Sequence, residues 1–68
     1  MTVAEAKREY NQQLERYYKA ESFFNSDRPQ EEKEKFLPDF QKLLIGLSQL
    51  LRKIGIYTPK EVMEGFDE

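Results

Sequence analysis

The side chains able to do chemistry in these 68 residues are carboxylates, lysines, tyrosines and a few hydroxyls, because the sequence contains neither histidine nor cysteine. That composition removes the usual proton shuttle at neutral pH, the usual zinc ligands and the thiolate nucleophile. The groups that remain show no catalytic spacing, and no Gly-rich phosphate loop is present. The sequence therefore predicts a protein that is not an enzyme and has no catalytic, cofactor-binding or metal-ligating residues. The charged run Gln30-Glu31-Glu32-Lys33-Glu34-Lys35 could attract a hard cation. It lacks the Asp-x-Asp-x-Asp-Gly pattern of a calcium loop and reads as the solvated start of a helix, with an i,i+4 pair between Glu31 and Lys35. Glu21 falls within an otherwise apolar stripe. It reads as a carboxylate reaching solvent or a facing cation; buried, it would mark a functional site.

The cations Lys7, Arg8, Arg16 and Lys19 could contact nucleic acid, with Tyr18 beside them. Glu5, Glu9, Glu15 and Glu21 interleave with them, however, and 11 basic against 13 acidic residues leave a net charge of −2. No strong field for steering phosphates results. The segment Ile54–Pro59 superficially resembles the turn of a helix-turn-helix, yet from Lys60 onward the chain carries one cation and four acids, the wrong balance for a recognition helix. A nucleic-acid-binding accessory protein is thus the alternative reading, and nucleic acid is not the expected partner.

Three helices must position these groups. The first is predicted over about 2–24, opened by the Thr2/Glu5 capping box, with Val3, Ala6, Tyr10, Leu14, Tyr17 and Phe24 on one narrow stripe. Asn25–Pro29 breaks the chain, Asp27 being the candidate N-cap of a second helix. That helix is predicted over about 28–54 and kinked near Pro38, since the apolar phase begins at Phe36 and continues unchanged beyond the proline. Arg52, Lys53 and Gly55 end it, and Ile56 is expected to fold back on the last turn. A third helix over about 58–65 has Thr58 as N-cap, Pro59 at its first position, Glu61 completing a capping box and Tyr57 stapled to Val62. Asp67 and Glu68 form the acidic end.

The second helix dominates. Phe36, Phe40, Leu43, Leu47, Leu50 and Ile54 line one face at alternating spacings of four and three, and Leu37, Leu44 and Leu51 run beside it one heptad apart. This core or oligomer face, Leu44 and Leu51 included, is broader than the first helix can cover. The expected fold is all-α, a single domain over 1–68: an antiparallel helical hairpin with the short third helix tucked against it, completed as a four-helix bundle by a homodimer. The expected function is a small interaction or regulatory module that binds another protein through helical surfaces. Tyr18, Phe23, Phe24 and Ile45 are the candidate partner-binding residues, apolar groups that the hairpin does not obviously bury. No apolar run approaches a membrane span and no signal-like region opens the chain, so a cytoplasmic protein without membrane contact is expected.

Overall fold

The computed structural model describes residues 1–67; Glu68, assigned above to the acidic end, lies outside them. Three helices follow in order: α1 (Val3–Phe24), α2 (Gln30–Ile54) and α3 (Pro59–Glu64). Thr2 caps α1 as predicted, its hydroxyl accepting from the Glu5 N–H at 3.1 Å. At α3 the capping box is complete. The Thr58 hydroxyl accepts from the Glu61 N–H at 3.2 Å, and the Glu61 carboxylate accepts from the Thr58 N–H at 3.0 Å.

The start of α2 differs from the prediction. Asp27 does not cap it; the cap is Pro29, which offers no side-chain hydrogen bond but whose carbonyl accepts from the N–H groups of Glu32 and Lys33. The first turn opens two residues later than expected, and the nearby i,i+4 ion pair is Arg28 with Glu32, 3.6 Å apart on the surface. Exposed pairs of this kind contribute little. Pro38 does not divide α2, which continues through it as one helix. Pro38 is exposed, as is Glu34, whose carbonyl has no proline N–H to accept, so water can satisfy it.

At the other end of α2, Gly55 takes φ 84° and ψ −51°. Only glycine adopts this φ freely, but ψ is far from the roughly +45° of the left-handed cap that turns the chain back over its own helix. Ile56 consequently points away and is 90% exposed, contrary to the expected fold-back. The chain instead reaches α3, whose last residue is followed by a second positive-φ glycine, Gly65 at 94°.

α1 and α2 form the predicted antiparallel hairpin. Aromatic contacts pair Phe24 with Phe36 near the loop and Tyr17 with Phe40 further along, so numbers fall on α1 as they rise on α2. The buried core lies toward the opposite end, where Ala6, Tyr10 and Leu14 of α1 meet Leu47, Leu50 and Ile54 of α2. Phe66 completes it. The molecule is a rod of 40 × 19 × 16 Å, its long dimension matching the ~37 Å expected of a 25-residue helix. Its radius of gyration, 13.3 Å, exceeds the roughly 11 Å of a compact chain of this length.

Candidate interaction surface

The third helix is too short to stand alone and is held from α1 by polar side chains. The Tyr10 hydroxyl donates to the Val62 carbonyl at 2.6 Å, and the Tyr18 hydroxyl donates to the Met63 carbonyl. Next to Tyr10 in sequence, Asn11 grips the backbone of Phe66 from both sides. Its Oδ1 accepts from the Phe66 N–H at 2.7 Å, and its Nδ2 donates to the Phe66 carbonyl at 2.8 Å. Four backbone groups beyond or near the end of α3 are thereby satisfied by one face of α1. Phe66 then lies edge-on to Tyr10, centroids 5.3 Å apart, with the Lys7 ammonium 5.6 Å from its ring centre. Burial in this apolar setting pushes the Tyr10 phenol pKa up, and the neighbouring Tyr18 and Tyr57 add to the shift.

The candidate partner-binding residues occupy different places. Phe23 and Phe24 are half-buried by an aromatic cluster near the interhelical loop: Phe23 packs on Phe36 at 5.4 Å, and Phe24 on Phe36 at 5.9 Å and Phe40 at 4.9 Å. Aromatic pairs at this range add to the burial of their area. Tyr18 stays 43% exposed although its hydroxyl is engaged, and Ile45 is 57% exposed.

The expected core face of α2 divides in two. Leu47, Leu50 and Ile54 are buried, and Phe36, Phe40, Leu43 and Leu51 are half-buried. Leu44 is not part of the hairpin's core: it is 41% exposed, and Leu37, one heptad before it, is 43% exposed. The reason is rotational. The leucine row lies about 80° around α2 from the centre of the buried stripe, beyond the reach of α1.

Leu44 and Ser48 form a ridge between two open clefts. One, about 340 Å³, continues over Ile45, Gln49 and Arg52. The other, about 430 Å³, descends between the three helices to Tyr17, Tyr18, Leu51 and Met63, with Glu21 at its rim. Glu21 itself is exposed, as the solvated reading requires. A third cleft on the opposite side of the hairpin joins Phe23, Phe36 and Leu43 to Arg16 and Lys19. Lys7 and Arg8 line a separate cleft with Asp67, so the four candidate nucleic-acid cations do not meet in one patch.

Sequence reasoning missed Asn11, and it placed Phe66 on the apolar side of the third helix, whereas Phe66 lies beyond that helix and in the core between the long ones. An asparagine inside an exposed helix face carries no signal of its own. Gly65 followed by an aromatic residue was the available hint that the chain turns inward after α3.

Fold and surface together define a small three-helix protein whose long helices pack as a hairpin and whose tail is latched to the first helix. Comparison of the chain with models of known families, with curated proteins and with solved structures finds no match. Among the described residues, no helix is long and apolar enough to cross a membrane, and no group of three or more acidic side chains is placed to hold a metal ion.

Proposed function

We propose that this chain is a non-catalytic interaction module that associates with other protein through the ridge and clefts around Leu44. The observation that carries this reading is the contiguous exposure of Tyr18, Leu44, Ile45 and Met63, which two clefts sharing Leu44 and Ser48 join on one side of the folded hairpin. Scattered exposed apolar residues are ordinary, whereas a patch joined through shared clefts marks a contact surface. Phe23 and the half-buried aromatics around it supply a second, smaller apolar area. On the favoured surface a second hairpin would complete a four-helix bundle.

The test compares wild type with a Leu44→Glu/Met63→Glu variant in affinity capture from the native host, after circular dichroism has shown both to be folded. Proteins retained by wild type and lost from the variant support the reading. Identical retention, or none by either protein, overturns it.

A further inference from the structure

The accessible surface of the chain is 5343 Å², against roughly 4,500 Å² for a monomeric protein of 8.2 kDa. The excess of about 800 Å² equals what each partner buries in a standard protein interface. Three heptad rows run together along α2 beside its buried stripe: Leu37, Leu44 and the half-buried Leu51; Glu34, Gln41 and Ser48; Ile45 and Arg52. Between Glu34 and Arg52 this face carries no charge, and the two charges at its ends have opposite sign.

That pattern is complementary to itself read backwards. Laid antiparallel on a copy of itself with Leu44 on the two-fold axis, α2 sets Leu37 of each chain opposite Leu51 of the other. Arg52 then faces position 36 of the partner helix, two residues or about 3 Å along the axis from Glu34, within reach of a long arginine side chain. A parallel pairing would set Glu34 against Glu34 and Arg52 against Arg52, with like charges at both ends. Resting on the interaction reading above, we infer that the occupant of this surface is a second copy of the chain, paired antiparallel through α2 with Leu44 at the two-fold axis.

The chain has no cysteine, so single cysteines can report the geometry without background. Leu44→Cys is expected to form a disulfide dimer on mild oxidation, since facing helices at 8–10 Å bring their near Cα atoms within disulfide range. Leu37→Cys alone should form no cross-link under the same conditions, yet cross-link when mixed with Leu51→Cys. Lys42→Cys, on the far side of α2, is the collision control. Light scattering of the unmodified protein should show about twice the 8.2 kDa chain mass, falling toward it on dilution. Glu34→Arg should weaken the dimer roughly tenfold, and mixing it with Arg52→Glu should restore it. An 8.2 kDa particle at every concentration up to several hundred micromolar overturns the inference, as does Leu37→Cys or Lys42→Cys cross-linking alone as readily as Leu44→Cys. If that monomer still captures another protein in a Leu44-dependent way, self-pairing falls and the interaction reading stands; if it captures none, both fall.

Discussion

Asn11 holds the backbone of Phe66 as a second strand would, with one bond accepted at 2.7 Å and one donated at 2.8 Å across 55 residues of sequence. A side-chain amide has one acceptor and one donor group at the spacing a peptide unit presents, so one residue on a rigid helix fixes both position and orientation of the tail. The phenyl ring is thereby delivered to the core and α3 is held over α1.

Asn11→Ala should therefore cost about 2 kcal/mol, the sum of two ordinary hydrogen bonds at about 1 kcal/mol each. Amide exchange will localise the effect: the Phe66 N–H should exchange far faster, while amides around Phe24 and Phe36 keep their protection. Uniform loss of protection along the chain would show that the clamp is not local.

The two glycines that approach α1 should respond with opposite sign. A Cβ on Gly46 would lie 2.6 Å from the Gln13 Oε1, the mobile end of a side chain otherwise in contact with Glu9 at 3.5 Å. Gln13 can swing away, so Gly46→Ala should stabilise by about 0.5–1 kcal/mol through helix propensity. At Gly65 the backbone has φ 94°, and a Cβ would meet the Asn11 Oδ1 at 2.7 Å and its Cγ at 3.3 Å. Asn11 cannot yield without releasing Phe66. Gly65→Ala should lose about 2 kcal/mol or more, and thermal unfolding of the pair, with Tm values ordered Gly46→Ala, wild type, Gly65→Ala, is the check.

Tyr10 couples the latch to pH. Its phenol is 1% exposed and its pKa is raised above the ordinary value near 10. The unfolded chain therefore loses this proton first as pH rises, so the stability that neutral Tyr10 contributes is complete below pH 10 and declines above it toward the folded-state pKa. Urea midpoints should be flat from pH 7 to 9 and fall beyond 10. Tyr10→Phe should be less stable at pH 7 by about 1–3 kcal/mol, because the Val62 carbonyl loses its donor, but should show a shallower alkaline decline. Equal slopes for the two proteins would remove Tyr10 as the cause.

Much of this architecture is legible in the chain itself because it rests on local rules. Thr58/Glu61 form their capping box as the spacing requires, and Thr2 caps α1, although the Glu5 carboxylate meets the Thr2 hydroxyl rather than its N–H; the four–three periodicity of Leu47, Leu50 and Ile54 names the inward side of α2. Local rules were least reliable where two of them competed. Asp27 is a better cap than Pro29 by type, yet the carbonyl of Pro29 takes the first helical bonds. Gly55 stops its helix as expected, but its ψ sends Ile56 outward.

By itself, then, the sequence determined the three helices and their ends to within two residues, and the inward stripe of each long helix apart from Val3, which is exposed, and Ala20, which is buried, because caps, prolines and apolar periodicity act over a few residues at a time. Only the tertiary structure decided which apolar rows were left over and what holds the tail. Whether Leu44 is covered depends on how far α1 reaches around α2, and the meeting of Asn11 with Phe66 depends on a path through two turns; neither quantity is encoded in any single stretch of the chain.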